Sequence, residues 1–395
     1  MGRLRDALAQ PGLAAVAEVK RRSPSAGDLR PHAEPAVLAR GFEQAGAAAV
    51  SILVDQRFGG SPDDLRAARS ATSLPLLAKG FFSTRSDLEE MRSAGADAVL
   101  LLLRDLDQAT AAQLLGVAGE LGLDALVETH DAEELDRAVE LGAAVVGINA
   151  RDLATFEIDR RAQLELVARL HRTRPGLKAR DMVVVAESGV ENRAHGASAE
   201  LAGADAILVG SALMRAPDPA AKLAELLARP LVKVCGLTRE VDVAAAAAGG
   251  ADLAGFVLAE SPRRAPRALD VPDTMLSVGV FVGEPENAGT DLAQVYPEEN
   301  GHRGRDGVLL RDGEQVAHVL DLPWLQDDDD DHWRRAREAD GRVVLAGGLG
   351  PENVGAAIES VRPWCVDASR SLEAAPGLKD HARVRAYIEA VEAAR

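Results

Sequence analysis

Apolar positions in the first half of the chain come in short runs, separated by stretches in which apolar residues recur at helical spacing. The runs read as strands at Ala14–Lys20, Ala48–Asp55, Leu74–Lys79, Ala98–Leu103, Asp124–Glu128, Val145–Arg151, Val183–Ser188 and Ala206–Gly210. Helices such as Asp131–Leu141 and Pro219–Ala228 fall between them and are followed by the breakers Gly142 and Pro230. Apolar strands alternating with helices predict βα units around a parallel sheet, and eight units close a (β/α)8 TIM barrel.

The pattern stops near Leu227-Ala228-Arg229-Pro230 and restarts at Leu231, which predicts two domains, residues 1–229 and 230–395. The second half again offers eight strands: Leu231–Cys235, Leu253–Leu258, Ser277–Val282, Leu292–Tyr296, Gly307–Leu310, Val316–Asp321, Val343–Ala346 and Cys365–Ala368. Its 166 residues are few for such a barrel, and Val308–Asp321 leaves no room for a helix between two strands. The predicted architecture is therefore α/β, with two consecutive TIM barrels, the second short and lacking one helix.

Composition narrows the function classes. Of the 395 residues 47% are hydrophobic and 27% charged, a globular balance, and the longest apolar runs are far too short to span a bilayer. The formal charge of −17 opposes binding to nucleic acid or to an anionic membrane. Met1-Gly2-Arg3-Leu4-Arg5-Asp6 leads into no apolar segment, and two cysteines make no disulfide framework, so a cytoplasmic protein is expected, and a monomer, since two fused barrels cover apolar surface between them.

Chemistry concentrates at the predicted strand ends. Glu18, Lys20, Lys79, Glu128, Asn149, Arg151 and Glu187 all stand where a barrel gathers its βα loops, so they are expected to converge over one mouth. Lysines and carboxylates facing each other in a partly dry pocket shift one another's pKa values and supply acid–base chemistry without a metal or other cofactor. Glu187-Ser188-Gly189 and Val209-Gly210-Ser211 place glycines before helix N-termini, which suit a phosphate. A small phosphorylated substrate follows. The run Asp327–Asp331 before His332 reads as a solvated loop rather than a metal site, and His130 and His195 show no ligand spacing.

Ala17-Glu18-Val19-Lys20-Arg21-Arg22-Ser23-Pro24-Ser25 resembles the first-strand motif of indole-3-glycerol-phosphate synthase. Phe58-Gly59-Gly60-Ser61, Leu126-Val127-Glu128, Gly147-Ile148-Asn149-Ala150-Arg151-Asp152-Leu153, Ala186-Glu187-Ser188-Gly189 and Leu208-Val209-Gly210-Ser211 follow in that family's order over residues 13–229. The resemblance implies closure of the pyrrole ring of 1-(2-carboxyphenylamino)-1-deoxyribulose 5-phosphate with loss of CO2 and water, and no cofactor. It implies Lys79 as general acid at the ketose carbonyl, Lys20 as holder of the substrate carboxylate and aid to dehydration, and Glu128 as proton handler at the other face. Glu18, Asn149, Arg151, Glu187 and Ser188 complete the pocket, Ser23, Gly189, Gly210 and Ser211 hold phosphate, and Phe81 packs on the aromatic ring. The family's Lys-Asp-Phe reads Lys79-Gly80-Phe81 here, and Glu18 lies too near Met1 for most of the N-terminal helical segment that caps that family's active site.

In the second half, Lys233-Val234-Cys235-Gly236-Leu237-Thr238 resembles the opening of phosphoribosylanthranilate isomerase, with Ser261-Pro262-Arg263-Arg264, Leu345-Ala346-Gly347-Gly348-Leu349 and Pro376-Gly377-Leu378-Lys379-Asp380 following in order. That likeness implies the preceding step, an Amadori rearrangement with Cys235 as base and Asp321 as acid. Arg263 is then expected to bind the anthranilate carboxylate, with Gly348 and Ser369 near the phosphate. Three segments depart from the family: Gln294-Val295-Tyr296-Pro297 replaces Gln-Leu-His-Gly, Gln326 to Asp331 replaces a glycine-rich loop, and Ser369-Arg370-Ser371 replaces Ser-Ser-Gly. They leave open a reading in which the second half is a non-catalytic stabilising or interaction module, just as a third reading makes the protein some other phosphosugar barrel.

Overall fold

The computed structural model describes residues 2–23, 27–152, 155–177, 181–299, 302–322 and 331–395. The chain divides into two compact units, Met1–Leu227 and Ala228–Arg395, each containing a closed eight-stranded barrel.

The first barrel consists of β1 (Ala14–Val19), β2 (Ala49–Leu53), β3 (Leu76–Lys79), β4 (Ala98–Leu102), β5 (Asp124–Thr129), β6 (Val145–Asn149), β7 (Val183–Glu187) and β8 (Ala206–Val209). Every neighbouring pair is parallel, and β1 closes on β8 with Ala14 opposite Ala206. Both faces of each strand are covered, which is why the strands read as continuous apolar runs. One set of side chains, including Val50, Ile52, Val127 and Val184, packs with the outer helices, while Val16, Ala49, Leu77, Leu100, Leu126, Val145 and Leu208 belong to a second cluster.

That second cluster includes Leu4 and Leu8 of α1 (Arg3–Leu8), both fully buried. The residues ahead of β1 therefore do not lie over the candidate site. Asp124, the first residue of β5, accepts the Leu4 and Arg5 N–H groups at 2.8 and 3.2 Å, and Arg3 Nη1 pairs with Asp97 Oδ1, just before β4, at 2.7 Å. Both anchors are at strand starts, so α1 closes the N-terminal mouth.

The outer layer of the first unit comprises α2 (Pro35–Gln44), α3 (Pro62–Arg69), α4 (Arg85–Ser93), α5 (Gln108–Glu120), α6 (Ala132–Glu140), α7 (Arg160–Thr173), α8 (Arg193–Ala202), α9 (Ser211–Arg215) and α10 (Pro219–Leu227). Their starts follow local chemistry. The Asp131 side chain accepts the Glu134 N–H to cap α6, and Thr84 and Asp87 form a reciprocal capping box on α4.

The second barrel contains β9 (Leu231–Cys235), β10 (Leu253–Val257), β11 (Leu276–Val282), β12 (Leu292–Tyr296), β13 (Gly307–Arg311), β14 (Glu314–Leu320), β15 (Val343–Leu345) and β16 (Cys365–Ala368). Here the expected pattern needs correction twice. First, β13 runs antiparallel to both β12 and β14, so the sheet is mixed. The cause is a two-residue turn at Asp312-Gly313, with φ of +50° and +83°, which sends the chain straight back as a hairpin. Second, more than one helix is missing. Among the described residues the helices of this unit are α11 (Glu240–Gly249), α12 (His332–Glu338), α13 (Val354–Val361), α14 (His381–Ala394) and one 3-10 turn at Arg370–Leu372. The segments 258–275 and 283–291 carry no helix, and two short antiparallel strands, Glu298–Glu299 and His302–Arg303, lie between β12 and β13.

Candidate active sites

At the C-terminal end of the first barrel a cavity of about 600 Å³ is lined by Glu18, Lys20, Ser23, Lys79, Phe81, Glu128, Asn149, Arg151, Ser188, Gly189, Gly210 and Ser211. Residues spread over most of the unit thus meet at one mouth. Glu187, almost fully buried, sits against Lys79.

Lys79 Nζ is the hub. It lies 2.5 Å from Glu187 Oε2, 3.4 Å from Glu128 Oε2 and 3.6 Å from Glu18 Oε2, and Lys20 Nζ pairs with Glu18 Oε1 at 2.8 Å. Burial works against the Lys79 ammonium, but the three carboxylates outweigh it and raise its pKa well above the ordinary lysine range. Three carboxylates so close cannot all ionise easily. Burial, then the repulsion of Glu128, pushes the Glu187 carboxyl up to about 8. Glu128 goes the other way: burial is overcome by Lys79, His130 and Asn149, which hold it below the usual carboxylate range.

Second contacts orient these groups. Asn149 Nδ2 donates to Glu128 Oε1 at 2.8 Å while its Oδ1 accepts the Arg151 N–H at 2.9 Å, which fixes the amide. Ser188 and Gly189 adopt φ of +68° and +76°, turning the chain sharply where β7 ends. Arg21 forms a two-pronged pair with Asp64 at 2.7 and 2.8 Å, so it ties the first loop to α3. An apolar rim completes the mouth: Phe81, Phe156 and Ile158 remain exposed, Phe58 stacks on Phe81 at 6.4 Å, and the Arg57 guanidinium carbon lies 3.9 Å above the Phe81 ring.

In the second barrel Cys235, Arg263, Asp321, Gly348 and Ser369 all line a cavity of about 500 Å³. Asp321 Oδ2 accepts the Tyr296 hydroxyl at 2.9 Å and faces Arg303 Nη1 at 3.1 Å, while its Oδ1 accepts the Leu322 N–H at 2.7 Å. Tyr296 is held in turn by Gln294, whose amide oxygen accepts from Lys233 Nζ at 2.8 Å; Lys233 also meets Asp367 at 2.6 Å. The departing segment Gln294-Val295-Tyr296-Pro297 thus braces Asp321 rather than abandoning it. Burial raises the Asp321 carboxyl, and it also raises the Cys235 thiol against the opposing charge of Lys233. Arg263 Nε is engaged by Glu373 at 2.9 and 3.0 Å, and Lys379 Nζ reaches the same carboxylate at 3.1 Å. The Nε edge of the Arg263 guanidinium is therefore already taken by Glu373. Most of the aspartate run, Asp327 to Asp330, lies outside the described residues; Asp331 pairs with Arg334 at 3.1 Å.

Comparison with known proteins starts from the first unit. Residues 2–226 match the family model described as Indole-3-glycerol phosphate synthase. The chain belongs to the indole-3-glycerol phosphate synthase family. It is 45% identical over 222 residues to the enzyme of that name from Mycobacterium ulcerans and 46% identical to the one from Mycobacterium avium. Each alignment covers 56% of this chain and 79% of the relative. Residues 320–390 match the N-(5'phosphoribosyl)anthranilate (PRA) isomerase model. A solved phosphoribosyl anthranilate isomerase from Thermus thermophilus is 27% identical over 42% of this chain and all of its own, with a TM-score of 0.35. In chain order, a segment that matches a synthase of tryptophan biosynthesis is thus followed by one that matches an isomerase of the same biosynthesis.

Within the synthase barrel two glycines are needed for close approach. A Cβ on Gly147 stands 2.0 Å from Glu187 Oε1, and one on Gly210 stands 2.3 Å from Glu18 Oε1. Both carboxylates lie over bare backbone. Gly147→Ala is expected to drive Glu187 off Lys79 and lower synthase kcat about 100-fold, with KM little changed, since small misplacements of catalytic groups cost rates of this order. Steady-state kinetics reads it, and an unaltered kcat removes the importance of that contact. Gly80 is packed rather than loose, because a Cβ there meets Phe82 and Val54 at 3.0 to 3.2 Å.

Sequence reasoning missed several residues in these sites. Arg57 and Arg215 line the synthase cavity, and Gln294, Tyr296 and Arg303 line the second. His130, the residue after β5, lies against Glu128, with its Nε2 3.3 Å from Glu128 Oε1. His195 is structural, with ring nitrogens near the Glu191 N–H and the Asn192 amide at 3.2 and 3.1 Å.

Proposed function

We propose that the first unit converts 1-(2-carboxyphenylamino)-1-deoxyribulose 5-phosphate into indole-3-glycerol phosphate, and that the second makes this substrate by isomerising N-(5-phosphoribosyl)anthranilate. The observation that carries the first reading is the Lys79 ammonium held among Glu18, Glu128 and Glu187 at the rim of one cavity. Lys79 donates to the ketose carbonyl oxygen as the ring carbon bearing the carboxylate attacks. CO2 then leaves with its bonding electrons returned to the ring. The new hydroxyl departs as water with Lys20 assisting, while Glu128 takes the proton released at the other face. Arg151 and Ser188 line the same pocket, Phe81 packs on the anthranilate ring, and Ser23, Gly189, Gly210 and Ser211 receive the phosphate.

For the second unit, the Cys235 thiolate removes the proton from C2 while Asp321 protonates the ring oxygen to open the ribose. Arg263 takes the carboxylate, and Gly348 and Ser369 sit by the phosphate. The common cavity of all five favours catalysis over a purely structural module. The full chain, given each substrate in separate assays, is expected to release CO2 and indole-3-glycerol phosphate from the ketose and to produce the ketose from the aldose. Absence of either product ends that half of the proposal. A monomer acting in the cytoplasm completes the reading, and it accords with the high negative charge and with two free thiols; sedimentation measures the first point. Among the described residues no helix is long and apolar enough to cross a membrane.

The carboxyl pair gives a pH dependence. Glu187 keeps its proton below about 8 and loses it above. With that proton needed for the neutral, donor-bearing form, synthase kcat falls as pH rises through this value. Glu187→Gln, which cannot ionise, loses this alkaline limb. A wild-type rate that stays flat well above it contradicts the assignment of the proton to Glu187.

A further inference from the structure

Lys79 alone does not explain why Glu128 is the ionised member of the pair and Glu187 the protonated one. Its ammonium is nearer Glu187, at 2.5 Å, than Glu128, at 3.4 Å, and by distance favours the opposite arrangement. The asymmetry must come from other neighbours. Glu187 Oε1 and Glu128 Oε2 each lack a hydrogen-bond partner, but Glu128 Oε1 accepts from Asn149 and lies within ion-pair range of His130 Nε2 at 3.3 Å, a nitrogen that makes no hydrogen bond of its own. His130 Nδ1 lies 3.0 Å from Glu134 Oε2, an oxygen that also accepts the His130 backbone N–H at 2.8 Å. An imidazole with an acidic oxygen at each nitrogen is matched on both sides only when both carry protons.

We propose that His130 is a positioning residue of the synthase: its imidazolium, clamped between Glu128 and Glu134, keeps Glu128 a carboxylate and thereby leaves the shared proton on Glu187. This rests on the synthase reading above. Two carboxylates face the ring, Glu134 on α6 and Glu128 on β5. Beyond them stand Lys79 on β3, which gathers Glu128, Glu187 on β7 and Glu18 on β1, and Arg104 in the turn after β4, which acts on both Glu128 and Glu134. Burial disfavours the charged ring, but the two carboxylates prevail and push its pKa up to about 9. The charge is therefore present through neutrality and lost only in alkali.

The experiment uses the full chain and compares kcat against pH for wild type, His130→Gln and Glu134→Gln. With the charge gone in His130→Gln, Glu128 binds protons more readily, so the acid limb of the profile moves up by about one unit and the plateau falls about tenfold, typical of losing one close opposite charge. KM stays within about twofold, because His130 is not among the residues that line the cavity. Glu134→Gln keeps the ring but lowers its pKa, so its defect is small at about pH 6 and grows as the ring loses its proton. The ring signal of His130 in NMR spectra follows the titration without reference to activity. Profiles of both variants that superimpose on wild type, or a His130 ring already neutral at pH 7, overturn the inference. Loss of synthase activity in wild type instead overturns the reading beneath it, so the two failures are distinct.

Discussion

Lys79→Ala is expected to abolish formation of indole-3-glycerol phosphate, lowering kcat by at least about 1,000-fold, the range for removing a positioned general acid. The loss goes beyond one proton donor. Glu18, Glu128 and Glu187 are all buried, and without the ammonium they are left to repel one another. They respond by taking up protons, which removes the carboxylate at Glu128 as well as the acid at Lys79. Lys79→Arg keeps the charge, yet its planar fork cannot take the place of a compact ammonium meeting three carboxylates at 2.5 to 3.6 Å, so it too is expected to be severely impaired. Isomerisation by the same preparations serves as the control for folding, because it belongs to the other unit. Normal ring closure by Lys79→Ala would refute the assigned chemistry.

The mirror experiment concerns Cys235 and Asp321. Cys235→Ser and Asp321→Asn are each expected to remove isomerisation by at least about 100-fold, the lower end of what one acid or base supplies, while ring closure from supplied ketose continues unchanged. The thiol's pKa is raised from 9.0 by burial, so at neutral pH most of it is protonated. The isomerase rate should therefore climb with pH as the thiolate forms. A serine alkoxide is far harder to form than a thiolate, so the serine variant should not recover at any accessible pH. Isomerisation at the wild-type rate by either variant, assayed apart from the synthase, disproves the roles given to these two side chains.

The first barrel could be read closely because every strand is buried on both sides, so its apolar runs stand out against helical spacing. Predicted and observed strands differ by a residue or two at their ends: Arg151, placed at the end of a strand, lies two residues beyond β6 and forms an isolated bridge with Ile158. The second barrel was harder to read. Asp312-Gly313 is a strong hairpin signal, but a strand reversed within a barrel has the same apolar pattern as a parallel one, and nothing in that pattern gives direction. Where connections lack helices, as in 258–275, the chain carries Pro262, Pro266 and Pro272, which break a helix without saying what replaces it. Site residues at strand ends were legible because barrel closure brings them together. The braces were not: Tyr296 on Asp321 and Glu373 on Arg263 depend on the distances between side chains from separate elements, and His130 on Glu128 depends on how the chain leaves the end of β5.

The seat of α1 has a consequence for how this barrel tolerates change. Its leucines stopper the floor while the polar rim stands at the ceiling, joined only through the strands between them. Swapping Leu4 or Leu8 for smaller residues should soften the molecule from beneath and leave turnover per folded molecule intact, whereas edits to the rim should do the reverse. Durability and speed are thereby free to drift apart, each with its own end of the barrel to rewrite.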